Sequence, residues 1–190
     1  MTDEIFGEKP KKPKSKAPPM RNNAPDDFQT PPFAVKYLFP YLKRQWRIWE
    51  CAAGKGNIVR TLEKDGFNVF GTDIKTGFDF IRKEASVEFD AIVTNPPYSI
   101  KDNWLKKCFG YQKPFALLMP LAALGEQDRT AMFAEHGIEI LMPPIRINYE
   151  TPSGEGSGAQ FFSAWFCWKM NLPQQITFIR KNDHKQGKLF

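Results

Sequence analysis

Short apolar runs alternate with amphipathic segments along most of the 190-residue chain. Runs rich in β-branched and aromatic residues predict buried strands at 46–50, 68–72, 89–94, 114–120, 138–142 and 161–169. Helical patterns precede or separate them at 33–42, 58–65, 103–109 and 126–136. This alternation predicts an α/β fold whose mostly parallel sheet carries helices on both faces. The polar segment 150–160 before the last run predicts an antiparallel hairpin at one edge of the sheet.

The tetrapeptide Asn95-Pro96-Pro97-Tyr98 directly follows the third apolar run, so it is expected at a strand's carboxyl end, where α/β sheets bind ligands. The Asn95 side-chain oxygen and the Pro96 carbonyl are acceptors on a stiff backbone. Aimed at the two hydrogens of a ring-conjugated amino group, they would localise the nitrogen lone pair. Tyr98 offers a flat face for stacking a base. The tetrapeptide indicates methylation of a planar amino nitrogen; the alternative is a proline-stiffened turn.

A glycine loop follows the first apolar run. Gly54 and Gly56 let the backbone approach a ligand closely, and the following helix start favours a negative group. Asp73 lies 19 positions after Gly54, close to the spacing of a ribose-binding acid. Glu50, just before the loop, suits a cationic amino group. Val59 replaces the third glycine of the dinucleotide fingerprint, and no phosphate-binding Gly-Lys-Ser/Thr is present, so a nucleoside-like cofactor is indicated.

Over about residues 29–169, these motifs resemble those of the S-adenosylmethionine-dependent N6-adenine amino-methyltransferases. The resemblance implies a Rossmann-like class I methyltransferase fold, with a mostly parallel seven-stranded sheet and an antiparallel edge hairpin. It implies S-adenosylmethionine as the cofactor and Asn95, Pro96, Pro97 and Tyr98 as the catalytic residues. The cofactor-binding residues that it implies are Thr30, Pro31, Glu50, Ala52, Gly54, Gly56, Asp73, Asp79, Phe80 and Asn95.

Two of these pairs have specific roles in the resembling family. Thr30 and Pro31 correspond to residues that contact the methionine end of the cofactor. Asp79 and Phe80 correspond to the pair that holds its adenine ring, by a hydrogen bond and by packing respectively.

The start of the last predicted strand carries two aromatic residues, Phe161 and Phe162. In the resembling family an aromatic residue here packs against the flipped-out base, opposite the tetrapeptide. Because successive strand side chains alternate, one of the two is expected to face the pocket and the other the core.

The amino-terminal segment is basic and proline-rich. Residues 9–21 contain four prolines and no acid, so we predict a disordered basic arm at 1–27, a methyltransferase domain at 28–180 and a basic tail at 181–190. Lys11, Lys12 and Lys14 are candidate contacts to nucleic-acid phosphates. With the net charge of +6, the arm favours a polyanionic substrate; a solubilising tail is the alternative.

Together these features predict methyl transfer to N6 of adenine in nucleic acid, DNA rather than RNA. No target-recognition region is evident, so we expect low sequence specificity or a protein partner that supplies it. The alternatives are an RNA N6-adenine methyltransferase, a protein glutamine N5-methyltransferase and a non-catalytic nucleic-acid-binding module.

Several classes of protein are not expected. No apolar run approaches the roughly 20 residues of a membrane span, and no signal-peptide pattern opens the chain. Cys51, Cys108 and Cys167 lack metal-ligand spacing, so neither a metal site nor a disulfide is expected. The sequence predicts a cytoplasmic protein without membrane contact, and its compactness suits an enzyme encoded by a phage.

Overall fold

The computed structural model describes residues 28–151, 154–155 and 161–180, so the predicted arm and tail lie outside the described residues. The helices are α1 (Pro32–Lys36), α2 (Asn57–Lys64), α3 (Lys101–Gly110) and α4 (Gln127–His136). The strands are β1 (Arg47–Glu50), β2 (Asn68–Gly71), β3 (Ala91–Thr94), β4 (Phe115–Pro120), β5 (Glu139–Met142), β6 (Glu150–Thr151), β7 (Gly154–Glu155), β8 (Ser163–Trp168) and β9 (Ile176–Phe178). Short 3₁₀ helices lie at Phe39–Tyr41, Ile74–Thr76, Tyr98–Ile100 and Leu121–Gly125.

Seven of the strands form one sheet in the order β2-β1-β3-β4-β8-β5-β9, and β6 and β7 form a separate two-stranded hairpin. Neighbouring strands from β2 to β4 are parallel, β8 is antiparallel to both β4 and β5, and β9 is parallel to β5. The predicted mostly parallel seven-stranded α/β sheet is therefore confirmed.

The position of the antiparallel pair differs from the prediction. β5 and β8 do pair, but β9 covers the free side of β5 and β4 covers that of β8, so the pair lies inside the sheet rather than at its edge. The residues of β8 are all buried, which is typical of an interior strand. The edge is instead the short β9, whose Ile176 and Phe178 are exposed and which the sequence analysis did not predict.

Alternating side chains of the strands supply two separate cores, one on each face of the sheet. Ile48, Val93 and Leu118 point to the face that α1 and α2 cover. Trp49, Ile92 and Leu117 point to the opposite face, covered by α3 and α4. Helices therefore lie on both faces, as predicted.

The first helix is shorter than the predicted span of 33–42. Pro31 precedes it and Pro32 opens it, as suits a residue without an amide hydrogen. Pro40 lacks the amide that a continuing helix would need and disfavours the helical conformation of Phe39. The chain consequently turns through a 3₁₀ helix at Phe39–Tyr41 instead.

Residues 72–90, all of them described, join β2 to β3 with one 3₁₀ helix as their only regular element. Aromatic packing fills this region, since the ring of Trp49 has neighbouring aromatic rings at centroid distances of 5.0–6.0 Å. These neighbours are Phe70, Phe78, Phe80, Phe89 and Tyr111. Asp73 follows the end of β2, which runs parallel to β1. Asp73 therefore lies at the same carboxyl end of the sheet as the ends of β1 and β3.

Candidate active site

The carboxyl ends of β1, β2 and β3 bring the glycine loop, Asp73 and the tetrapeptide together. Gly54 and Gly56 have φ of 51° and 82°, a conformation that glycine adopts without strain. The Gly54 amide donates to Asp73 Oδ2 at 2.7 Å, and the Lys75 amide donates to Asp73 Oδ1 at 2.8 Å. Asp73 therefore holds the loop in place, and each of its carboxylate oxygens retains a lone pair.

Glu50, the last residue of β1, is completely buried beneath the loop. Its Oε1 accepts hydrogen bonds from the Ala52 amide at 2.9 Å and from the Thr94 hydroxyl. Its Oε2 has no hydrogen-bond partner among the described residues. Burial disfavours the charged form and raises the pKa of Glu50 to about 8.

Three buried polar atoms without a hydrogen-bond partner in the described part of the chain belong to residues that line one cleft. They are Thr30 Oγ1, Glu50 Oε2 and Asn95 Oδ1. Buried polar atoms are rarely left unpaired, because each one costs about 1–3 kcal/mol. Their convergence is the mark of a site built for a polar ligand.

Asn95 follows β3 directly, and only one of the two polar atoms of its side-chain amide is hydrogen-bonded within the described residues. Its Nδ2 donates to the Phe28 carbonyl at 2.9 Å, whereas its Oδ1 is the partnerless acceptor described above. Tyr98, three residues on, begins a 3₁₀ helix and is 5% exposed. The tetrapeptide therefore presents an acceptor and an aromatic ring at the same end of the sheet.

An aromatic box surrounds Tyr98. We use this name for the rings of Phe28, Tyr98, Tyr149 and Phe161. Phe28 stacks on Tyr98 with centroids 5.9 Å apart and planes 22° apart, and Phe161 meets Tyr98 edge-on at 5.6 Å. The Tyr98 and Tyr149 hydroxyls are hydrogen-bonded at 2.8 Å, and burial raises the pKa of Tyr149 to about 12. The hydrogen bond holds the hydroxyl end of the Tyr98 side chain in place.

The structure contradicts the expectation that one of the two phenylalanines faces the core, and the contact of Phe161 with a base stays a prediction. Phe161 contacts Tyr98, but Phe162 is 54% exposed, with the Arg146 guanidinium 4.6 Å from its ring centroid, so it does not enter the core. The reason is that both residues precede β8, which starts at Ser163. The alternation of side chains between the two covered faces of the sheet begins only there.

No protein-family model and no curated protein matches the sequence. Among solved structures, the chain is similar to the methyltransferase subunit of a type I restriction-modification system from Streptococcus thermophilus (15% identity, TM-score 0.48, covering 80% of this chain and 47% of that one). It is also similar to a dimethyladenosine transferase from Plasmodium falciparum (13%, TM-score 0.46, 74% and 62%). A third is a release-factor-specific protein-(glutamine-N5) methyltransferase from Alicyclobacillus acidocaldarius (17%, TM-score 0.41, 72% and 92%).

The chain spans about half the length of the first of these proteins. Identities this low say nothing about activity or substrate. The sheet order and strand directions are those of a Rossmann-like, mostly parallel α/β sheet, as the sequence predicted, and the class I methyltransferase assignment stays a prediction.

Asp79 and Phe80 do not line the cleft. Asp79 Oδ1 accepts from the Ile81 amide at 2.9 Å, and its Oδ2 lies 3.5 Å from Arg82 Nε. Phe80 is 2% exposed, stacked on Trp104 at 4.2 Å. Here the pair acts as a turn cap and a core residue, and its contact with a cofactor adenine stays a prediction.

The remaining predicted cofactor residues lie at or beside the cleft. Thr30 and Ala52 line it, and the Pro31 carbonyl accepts from the Ala34 amide at 3.0 Å in the first turn of α1. Of the two prolines in the catalytic tetrapeptide, Pro96 is buried and Pro97 is half-buried.

Sequence reasoning missed Phe28, Gln29, Thr94 and Tyr149 as site residues. Gln29 is 6% exposed, and its Oε1 accepts from the Lys55 amide at 3.0 Å. Thr94 had a local signal, a polar residue ending an apolar run. Phe28 and Tyr149 had none, because they reach Tyr98 only through the fold.

A groove of about 510 Å³ separates α1 from α2 beside the cleft. Its lining includes Lys36, Arg60 and Lys64, together with Asn57, which also lines the cleft. The acid at its rim, Asp65, is paired with Arg44 at 2.7 Å. The groove is therefore electropositive. Lys11, Lys12 and Lys14 lie outside the described residues.

Proposed function

We propose that the protein is an S-adenosylmethionine-dependent methyltransferase that acts on N6 of adenine in nucleic acid, with DNA as the first candidate. The observation that carries the proposal is the partnerless Asn95 Oδ1 at the end of β3, in the same tetrapeptide as the ring of Tyr98. An acceptor next to a stacking face suits an amino group attached to a flat ring.

The cleft residues fit the cofactor. Glu50 Oε2 is an unused acceptor in a buried site, which suits the donor hydrogens of an ammonium group. Asp73 would accept from ribose hydroxyls with its remaining lone pairs, and the glycines of the loop permit close backbone approach. When bound, S-adenosylmethionine supplies a methyl group already activated on a sulfonium, so no metal is required.

The tetrapeptide would act on the amino group. Asn95 Oδ1 and the Pro96 carbonyl would accept from the two N6 hydrogens, which localises the nitrogen lone pair. Tyr98 would stack on the base and ease the positive charge that develops at nitrogen by a cation–π contact. Holding the nitrogen within about 3–3.5 Å of the methyl carbon would contribute to the rate by positioning the two reacting atoms.

Two features favour a nucleic-acid substrate over a glutamine side chain. The aromatic box offers stacking area that a planar base uses and an amide side chain does not. The electropositive groove beside the cleft suits a phosphate backbone, as does the basic arm. The enzyme would have low sequence specificity by itself, or a partner protein would supply the specificity.

The test measures transfer of a labelled methyl group to random-sequence duplex DNA, single-stranded DNA and RNA. We expect Asn95→Ala to lower transfer at least about 100-fold, as for loss of a preorganised hydrogen-bond partner. Tyr98→Ala should lower it roughly 5- to 100-fold, since stacking contributes about 1–3 kcal/mol per base. Phe178→Ala, at an exposed ring on the edge strand β9, is the matched control.

Calorimetry should show that both variants still bind S-adenosylmethionine. Full activity in either variant would refute the roles given to the tetrapeptide. Transfer to RNA alone, or to a glutamine-containing peptide alone, would replace the proposed substrate. If the wild-type protein fails to bind the cofactor, the alternative of a non-catalytic nucleic-acid-binding module would be favoured.

A further inference from the structure

The segment Phe28–Gln29 lies across both halves of the candidate site. The Phe28 ring stacks on Tyr98 and lies 5.6 Å from Tyr149, and its carbonyl accepts from Asn95 Nδ2 at 2.9 Å. The next side chain, Gln29, accepts from the Lys55 amide within the glycine loop at 3.0 Å. Two adjacent residues therefore contact the stacking ring, the catalytic amide and the cofactor loop at once.

The spacing of the stack leaves no room for a base. A ring sandwiched between two others needs about 7 Å between the outer planes, because each carbon contact takes about 3.5 Å. The centroids of Phe28 and Tyr98 are only 5.9 Å apart. Phe28 thus occupies one face of the Tyr98 ring.

The cofactor half is closed in the same way. The cleft bordered by Gln29, Glu50 and Asn95 has a volume of about 20 Å³, whereas sites for small molecules measure about 300–1,000 Å³. Gln29 Nε2 lies 2.7 Å from the position that a Cβ on Gly54 would take, so this side chain rests directly on the glycine loop. A nucleoside-sized ligand requires Gln29 to move, and Phe28 is bonded to it.

We propose that Phe28 is an internal competitor for the base subsite, and that Phe28 and Gln29 withdraw together when cofactor and base enter. This inference rests on the proposed function. The subsite takes a planar ring that carries an exocyclic amino group, whose hydrogens Asn95 Oδ1 accepts, and Phe28 stands in for that ring on Tyr98. Withdrawal frees Asn95 Nδ2 from the Phe28 carbonyl as well, so the amide can turn toward the substrate.

The experiment compares the wild-type protein with Phe28→Ala and the control Phe178→Ala, at an exposed ring on β9. Their affinities are measured for a thymine strand containing one adenine and for an all-thymine strand, with S-adenosylmethionine affinity measured by calorimetry. If Phe28 competes, Phe28→Ala should bind the adenine strand about three- to tenfold more tightly, with a lower KM, and bind the cofactor at least as well. Phe28→Ala should bind the all-thymine strand as the wild type does, and Phe178→Ala should bind both strands as the wild type does.

A second measurement uses the wild-type protein and does not depend on how the variant folds. Hydrogen exchange at the amides of residues 28–30 should become faster when cofactor and adenine strand are added together. Slower exchange, or weaker adenine binding by Phe28→Ala, would show that Phe28 is a wall of the base pocket and overturn the proposal. Unchanged affinity would overturn it too.

The two proposals fail differently. If the wild-type protein methylates adenine and Phe28→Ala gives no gain, only the competition by Phe28 is wrong. If neither protein binds cofactor or the adenine strand, removal of Phe28 has opened no site and both proposals are wrong. Binding by Phe28→Ala alone would support the competition.

Discussion

Glu50 is a buried acid whose environment has consequences near neutral pH. Its carboxyl is completely buried, and burial raises its pKa from the ordinary 4.5 to about 8. At neutral pH the protonated form therefore predominates. An ammonium group beside it would favour the carboxylate, so cofactor binding and loss of the Glu50 proton are coupled.

The same shift makes the stability of the fold depend on pH. The pKa of Glu50 is higher in the folded protein than in the unfolded chain. The stability that folding gains from keeping this carboxyl protonated is therefore fully present below about pH 4.5 and is lost as pH rises through about 8. Glu50→Gln does not titrate. Its free energy of unfolding relative to wild type should therefore rise between pH 5 and pH 9 by a few kcal/mol.

Urea denaturation at pH 5, 7 and 9 measures this difference. Glu63→Gln, at an exposed position on α2, is the control and should track the wild-type curve. Parallel pH profiles for wild type and Glu50→Gln would contradict the assignment.

Some residues of the site could be predicted from the sequence pattern immediately around them, and others could not. Asn95, Tyr98, Glu50 and Asp73 were predictable because each ends or follows an apolar run at a fixed spacing. Tyr149 was not, because it lies 51 residues from its hydrogen-bond partner Tyr98, and only the finished sheet brings them together.

At the level of elements, the β1–α2–β2 unit depends on one close contact. A Cβ added at Gly71 would lie 3.0 Å from Val59 Cγ2 and 3.1 Å from the Ala53 Cβ. Glycine at the end of β2 therefore lets α2 and the glycine loop pack tightly against the sheet. The geometry of the loop depends on that packing.

Gly71→Ala should accordingly destabilise the fold by about 1–3 kcal/mol, as overpacking does. Gly110→Ala is the matched control, because a Cβ at the end of α3 meets no described atom within 4 Å. That variant should be neutral or about 0.4–1 kcal/mol more stable, since alanine loses less chain entropy on folding. Equal effects in denaturant titrations would rule out the steric explanation.

The predicted elements correspond closely to the observed ones where hydrophobic periodicity is strong. All six predicted strands and all four helical segments are present, with ends shifted by a few residues and α1 cut short before Pro40. β9 was missed because Ile176–Phe178 is too short and too exposed to give a pattern. The interior place of the antiparallel pair depends on β9, so it could not be predicted either.

For the molecule as a whole, positive charge is the feature that bears on the substrate. The electropositive groove lies on the face covered by α1 and α2, and the arm enters the described part of the chain at Phe28. Phosphate contacts release counterions, so their number can be read from the dependence of affinity on salt.

Changing Lys11, Lys12 and Lys14 to alanine together should reduce the slope of log affinity against log salt by up to about 2 for a single-stranded oligonucleotide, at about 0.7 per contact. Fluorescence anisotropy across a salt series measures the slope. Lys106→Ala, exposed on α3 across the sheet from the groove, should leave it unchanged. An unaltered slope in the triple variant would indicate that the arm only aids solubility.

The place of β8 has a consequence for biosynthesis. β4 and β5 leave the ribosome well before Ser163–Trp168, which must pair with both of them. Until then the growing chain carries β4, with its buried apolar residues, as an unpaired strand edge of the kind that aggregates. The nascent chain is thus most vulnerable between the emergence of β4 and the emergence of β8, and this is the interval in which chaperone binding would help it.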